Sequence, residues 1–414
     1  MIAGRPDAVQ EPVPGPSGRY EIGVLLILAC VNGITALDRL AVNFLSPYIV
    51  VELGLNNRQL GLLSSALSLA IAVSGLILGA FADASGLRKR VLLIALVAFS
   101  ILSAGSGLAL GFGTLALARL LLGFAEGPVV PLAQSLMADA SRPSRRGFNM
   151  GAMQIGGAFL IGAMIGPVIT IQLAEHFGWR AAFFASAIPG LAAAILIARF
   201  VRHVPRPTAR NDPEARFDRN SIVGLLAVRN IVVSMLVVGL FTAWLTIQNI
   251  FMPLYLIRID HFSPQAMSLV LGLAGLGGLV GGLVVPALAD RFGRRPVMIA
   301  AGFASLLAPL AMLLIHGSAL VLAGAMAVGW LTIGCAPLVC AVIPSESVPP
   351  QRITTAIALS MFSAELLGGV LTPPLAGWAA DGYGLHAPFV IAAILALGCG
   401  LLSLLLRETM PIRR

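Results

Sequence analysis

The sequence predicts an all-α membrane protein whose twelve transmembrane helices form two pseudosymmetric six-helix bundles. Three observations carry that expectation: the composition, the spacing of apolar runs, and a repeat that divides the chain near its middle. The 414 residues are 58% hydrophobic and only 11% charged, with a mean hydropathy of +0.94. A soluble chain of this length needs far more charge to cover its surface, about a quarter of all residues.

Taken in order, residues 1–20 are rich in Pro and Gly and lack the short apolar core and small-residue cleavage site of a secretory signal. They read as a disordered cytoplasmic tail. An N-terminal bundle is expected over 21–200, with spans at 22–48, 58–82, 90–111, 114–138, 146–172 and 179–200. Each is long enough to cross about 30 Å of hydrocarbon. Residues 201–229 form the one long polar stretch inside the chain and read as a cytoplasmic linker between halves. A C-terminal bundle follows over 230–408, with spans at 230–256, 264–289, 295–315, 318–343, 353–380 and 385–406, and residues 409–414 form a second tail.

Basic residues sort by side. Of the 27, all but Arg39, Arg58, Arg119, Arg180 and Arg258 lie in the tails and in alternate loops. By the positive-inside rule both termini are cytoplasmic, in a multi-pass inner-membrane protein. That distribution makes the lipid bilayer, and not nucleic acid, the partner of the +9 net charge.

The repeat has an offset of 207 residues, about half the chain: Gly79, Asp83 and Gly86 recur as Pro286, Asp290 and Gly293. The same offset carries Asp139 onto Glu346, Arg145 onto Arg352, and Gly166-Pro167 onto Pro373-Pro374. Asp83 with Arg88, Asp139 with Arg145, Asp290 with Arg294 and Glu346 with Arg352 lie at cytoplasmic helix ends, where they read as salt bridges of a cytoplasmic gate. Glycine pairs four apart, Gly75 and Gly79, Gly162 and Gly166, Gly277 and Gly281, Gly278 and Gly282, let helix backbones approach closely.

Of eighteen acids, three lie well inside spans: Asp38, Glu126 and Glu365. Arg39 and Arg119 are the bases at that depth. Asp38 and Arg39 stand about 16 residues into their span, roughly 24 Å along a helix. Ionisable groups there cost on the order of 2.5 kcal/mol or more each, so they face a protein interior or a watery path. An internal pair that only locks helices is the plainer reading. Arg119 and Glu126, seven residues apart, share one helix face two turns, or roughly 10 Å, apart. Protonation of Glu126 would then release Arg119 to an anion. With both Asp38 and Glu126 protonated, the centre of the N-terminal half becomes doubly positive. Arginine suits a carboxylate because its planar fork binds both oxygens. Asp38, Glu126 and Glu365 are therefore candidates for proton coupling. Arg39, Arg119, Asn43, Trp244, Gln248 and Asn249 are candidates for substrate contact.

The loop Gly79-x3-Asp83-x2-Gly86-x-Arg88-Lys89, with its second copy around Asp290, Gly293, Arg294 and Arg295, resembles the signature loop of the major facilitator superfamily. The second copy departs from the pattern in Pro286, where Gly is usual. The resemblance implies two six-helix halves and a central site exposed alternately to each side. Within that superfamily, Asp38-Arg39 followed by Asn43, and Arg119-x3-Gly123-x2-Glu126, are similar to the anion:cation symporter family. Pro253-Leu254-Tyr255 and Gly368-Gly369-x3-Pro373-x3-Gly377 add to the likeness. That family implies Asp38 and Glu126 as proton carriers, Arg39 or Arg119 as the substrate anchor, and a small organic anion such as a sugar acid or an aromatic or aliphatic monocarboxylate as cargo. Spinster-like transporters share the Asp-Arg pair and the span-four Glu, so an exporter of amphipathic substrates, a lysolipid or a drug, stands as the alternative.

Other chemistries find no footing. The four cysteines lie inside spans and read as filler, the five histidines lie near loops in no metal-ligand spacing, and no phosphate-binding loop for ATP is present. The expectation is a monomeric carrier with no catalytic residues, metal or cofactor, and with protons as the coupling ion.

Overall fold

The computed structural model describes residues 18–142, 145–202, 224–349 and 352–410. Residues 1–17, 203–223 and 411–414, which hold most of the expected tails and linker, lie outside the described residues, as does the side chain of Asp83.

Twelve described helices are long and apolar enough to cross a membrane. In the first half they are α1 (Gly18–Phe44), α2 (Asn57–Ala82), α3 (Arg88–Ser106), α4 (Phe112–Ala140), α5 (Phe148–Phe177) and α6 (Trp179–Phe200). In the second they are α7 (Arg229–Arg258), α8 (Pro264–Phe292), α9 (Arg294–Leu314), α10 (Ala319–Glu346), α11 (Thr355–Tyr383) and α12 (His386–Ser403).

Local chemistry sets the helix ends. α1 stops at Phe44 and not at 48, because Pro47 opens a second, short helix, Ser46–Glu52, in whose first turn a missing N–H costs nothing. α2 starts on a reciprocal cap: Asn56 accepts from the Gln59 N–H, and the Gln59 side chain accepts from the Asn56 N–H. Proline also shapes the interiors. Gly166-Pro167 and Pro373-Pro374 follow stretches of π-helical hydrogen bonding, Ala152–Ile165 in α5 and Ala364–Leu371 in α11. A proline inside a helix lacks an N–H and crowds the carbonyl four residues back, so the turns before it widen. The repeat thus gives both halves the same irregularity at the same place.

The packing follows the repeat. In the first half α1 packs on α5, α2 on α4 and α3 on α6; in the second α7 packs on α11, α8 on α10 and α9 on α12. Small residues bring these pairs together: a Cβ added at Gly157 would stand 2.2 Å from the Ala29 carbonyl oxygen, and one at Gly281 2.0 Å from that of Leu331. Gly278 and Gly282 serve the seam between halves, against Phe159 and Ile155 of α5.

The halves meet on the face opposite the termini. There Gln265 donates to both oxygens of Glu175 at 2.9 and 2.8 Å, joining α8 to α5. The Asp381 carboxylate at the end of α11 accepts from the backbone N–H groups of Asn57 and Arg58, at 2.9 and 3.0 Å. Beneath these bonds Phe44, Leu45 and Ile49 join Trp244, Phe251 and Leu254 in one buried apolar cluster that spans both halves. Along α2 the contact row runs through Arg58, Gly61, Ser65 and Ser68, with Ser65 donating to the Val370 carbonyl at 2.7 Å. Its continuation toward the terminal face meets nothing: Leu76 is 78% exposed and a Cβ at Gly79 would have no neighbour within 4 Å. Phe362, the matching continuation on α11, is exposed too. Along α2 and α11 the halves are therefore closed on one face and parted on the face that carries the termini, while α5 and α8 stay in contact.

Two predictions arise from the closed face. Asp381→Asn removes the charge from two hydrogen bonds between halves, worth about 1–2 kcal/mol together at an exposed site. Ile49→Cys, in a background without the four native cysteines, should then react with a membrane-impermeant maleimide several-fold faster than in the Asp381 protein; an equal rate refutes the latch. His316, at the α9–α10 loop, has Nδ1 2.8 Å from Asp260 Oδ1, and that hydrogen bond raises its pKa above the ordinary 6.5. A pKa raised on folding gives stability that is complete below about pH 6.5 and fades as pH climbs through the raised value. Melting curves taken across that window should flatten in His316→Gln.

Candidate functional site

Asp38 and Arg39 are adjacent on α1, about 100° apart around its axis, so their side chains leave the helix in different directions. Asp38 turns into the first bundle. Its Oδ1 accepts from the Ser103 hydroxyl of α3 and, at 3.4 Å, from that of Ser186 of α6; the two hydroxyls lie 2.6 Å apart. Its Oδ2 stands 3.9 Å from Arg119 Nη1, and both side chains are 1% exposed. Arg119 Nη2 donates to Ser106 Oγ at 2.7 Å, and the guanidinium lies 5.4 Å from the centre of the Phe183 ring. Such a sealed pair with a cation over an aromatic face organises the bundle interior.

Arg39 turns toward the space between the halves. Its Nη2 and Nε donate to Glu126 Oε1 at 2.7 and 3.2 Å. The Arg39 side chain is 43% exposed, whereas Glu126 is 1% exposed and its Oε2 has no hydrogen-bond partner. The pairing along α4 expected from the seven-residue spacing is thus exchanged: Arg119 takes Asp38, and Glu126 takes Arg39. The helix spacing brought Arg119 and Glu126 to one face, but α1 offers each of them an opposite charge. Of the two arginines, only Arg39 has substantial exposed surface. A small cavity beside it is lined by Val42, Asn43, Leu63, Ser64, Leu67 and the edge of Arg119. The Asn43 Oδ1 there is buried without a partner.

The second half contributes unevenly. Trp244 and Gln248 stand one turn apart on α7 and are fully buried in the cluster that closes the seam; Trp244 stacks on Phe241 with ring centres 5.1 Å apart. The Trp244 Nε1 and both amide atoms of Gln248 have no hydrogen-bond partner. An unsatisfied buried amide costs about 1–3 kcal/mol, which an apolar residue of similar size would not. Asn249 is half-buried beside them. Glu365 lies in the first turn of the π-helical stretch of α11 and is half-buried.

The residues expected at the cytoplasmic gate lie on the splayed face. Arg294 donates to Asp290 and, at 3.2 Å, to Glu346, and Glu346 also accepts from Thr409 Oγ1 at 2.5 Å. This network lies wholly within the second half. Arg352 packs beside Gly224, at whose position a Cβ would stand 3.1 Å from Arg352 Nη1. Arg88, Asp139 and Arg145 occupy the corresponding helix ends of the first half.

The sequence matches the family model described as Major Facilitator Superfamily over residues 28–261 and again over 235–414. The chain belongs to the Major Facilitator Superfamily. Its membership makes it a transmembrane transporter and not an enzyme. Among curated members it is 28% identical over 301 residues to the hexuronate transporter of Bacillus subtilis (strain 168), covering 69% of this chain and 71% of that one. It is 27% identical over 312 residues to the gallate transporter of Pseudomonas putida, covering 67% of each. Among solved members of the superfamily, a bacterial homologue of the human lysosomal transporter Spinster in an inward-facing and unoccupied conformation superposes with a TM-score of 0.73 at 18% identity, over 94% of this chain and 97% of that one.

Ser103, Ser106 and Ser186, which hold Asp38 and Arg119, carried no role in the sequence reading of this superfamily member. A signal was present: Ser103 and Ser106 are three apart and so share one face of an otherwise apolar span. Asp381 carries no such signal, because its partners are backbone N–H groups.

The geometry separates the two arginines by consequence. Arg119→Ala leaves the buried Asp38 carboxylate without its cation, a loss of about 3–5 kcal/mol. Arg39→Ala likewise leaves Glu126 without its cation, but beside the open space from which that carboxyl can take a proton, and should cost less. Thermal unfolding of the purified variants is expected to rank Arg119→Ala well below Arg39→Ala, with Asp38→Asn partly rescuing the former; equal melting temperatures refute the assignment.

Proposed function

We propose that the protein is a proton-coupled symporter of a small organic monocarboxylate, such as a sugar acid or an aromatic acid. Arg39 is exchanged between Glu126 and the substrate. The observation that carries this reading is the Arg39–Glu126 pair, in which one partner is exposed and the other buried. With Asp38, Arg39, Arg119 and Glu126 all ionised, the centre of the first half is neutral. A substrate carboxylate that takes Arg39 leaves Glu126 buried without its cation, and a buried uncompensated carboxylate binds a proton. One anion and one proton then enter together, and the centre stays neutral. A proton alone leaves Arg39 uncompensated, and an anion alone leaves an excess negative charge, so neither half-loaded form crosses easily. By reciprocity, acid pH strengthens substrate binding and substrate strengthens proton binding.

The positive-inside charge pattern supports a cytoplasmic orientation of the splayed face. Arg39 then faces inward in this conformation, and outward opening requires the Asp381 and Glu175 bonds to part. Asp38, sealed with Arg119 and two serines, positions the neighbouring Arg39 and does not itself meet the substrate. Asn43, Gln248 and Trp244, whose polar atoms lack partners, are the groups that the substrate or the outward-open form would satisfy. The relatives named for hexuronate and gallate support an organic acid as the class of cargo.

Glu126→Gln imitates the protonated acid. In proteoliposomes with D-glucuronate and gallate as probes, it should bind and exchange label but fail to accumulate either probe under an imposed proton gradient, and its binding should lose pH dependence. Full gradient-driven accumulation by a stable Glu126→Gln protein overturns the coupling role. Arg39→Lys keeps the charge but not the fork, and its affinity for the transported probe should fall by about tenfold or more.

A further inference from the structure

The site so described is positive at one end only, and Glu365 is what stands at the other. No hydrogen bond or ion pair among the described residues holds its carboxylate, although it is half-buried in a transmembrane helix. Its position is fixed by the seam. A Cβ added at Gly369, one turn along α11, would stand 2.8 Å from Glu365 Oε2 and 3.1 Å from Ser68 Oγ of α2. Ser68 is one turn from Ser64, which lines the cavity beside Arg39. The carboxylate therefore lies on the junction of α2 and α11, at the level of Arg39 and on the other half. The rest of the second half's polar supply, Thr246, Gln248 and Asn249 on α7, is uncharged and brings no second cation.

We infer that Glu365 determines specificity: it admits a monocarboxylate that carries a hydrogen-bond donor at the end remote from its carboxylate, and rejects a dicarboxylate. This rests on the reading of Arg39 as the carboxylate anchor. A substrate held by Arg39 presents its far end to Glu365, which as a carboxylate offers only acceptors. A hydroxyl or ammonium there is satisfied. A second carboxylate meets a like charge in a site of low dielectric, and like-charge juxtaposition excludes it.

Three probes of one carbon skeleton separate the possibilities: D-gluconate, 6-amino-6-deoxy-D-gluconate and D-glucarate, which end in a hydroxyl, an ammonium and a carboxylate. Dissociation constants are measured by intrinsic tryptophan fluorescence on purified wild-type, Glu365→Gln and Arg39→Ala proteins. The wild type should bind gluconate and the amino acid at least tenfold more tightly than glucarate. In Glu365→Gln, glucarate should gain to within about threefold of gluconate. A tenfold loss confined to the amino probe marks an ammonium as the preferred donor, and a comparable loss for gluconate marks a hydroxyl. If Glu365→Gln keeps the wild-type rank order while Arg39→Ala loses all three probes, the inference about Glu365 is wrong and the anchor stands. If the wild type binds none of them, the inference about Glu365 is wrong, since gluconate carries the donor it requires; if Arg39→Ala binds them all as the wild type does, the anchor itself is wrong and the inference falls with it.

Discussion

The structure depends on one electrostatic constraint: four ionisable side chains in the middle of an apolar bundle must leave no charge uncompensated. The chain meets it with two crossed pairs between α1 and α4, and the crossing differentiates them. Asp38 and Arg119 are enclosed by α3 and α6 and tied by serine hydroxyls. Arg39 and Glu126 have the same formal charges, yet the arginine is open to the central space. Adjacent residues on one helix thus divide between holding the bundle and meeting whatever enters it. Permanent neutrality would make a scaffold. A pair that a third charge can divide makes a carrier.

Much of this was legible because membrane burial leaves a coarse signal. Twelve apolar spans and the offset of 207 residues are properties of long stretches, and small errors at each end do not disturb them. The depth of Asp38, Arg39, Arg119 and Glu126 was equally legible, since depth is read along one helix. Their partners were not. Spacing on α4 gives the distance between Arg119 and Glu126 but is blind to α1, which pairs with both. The latch at Asp381 escaped for a related reason: its donors are backbone N–H groups of α2, and a backbone group has no letter in the sequence.

The two halves share a fold and differ in chemistry. Both have the proline-bearing π-helical stretch in the helix that packs on their first helix, both have the glycine-rich contacts, and both carry a copy of the signature loop. Only the first half has the crossed pairs. At the central space the second presents uncharged groups on α7 and Glu365 on α11. Repetition of the backbone without repetition of charge gives the central space a direction, with a cation on one wall and an anion on the other.

The closing bond on the face opposite the termini is unequally exposed to mutation. Asp381 can be lost by almost any codon change at its own position. Its donors cannot, since every residue but proline brings the same N–H to positions 57 and 58, whatever its side chain. Drift on α2 therefore leaves the bond intact, while α11 bears the whole genetic burden of keeping it. The exception is instructive: proline at Asn57 would sit comfortably in the first turn of α2 yet remove a donor, altering the equilibrium between faces without altering the helix.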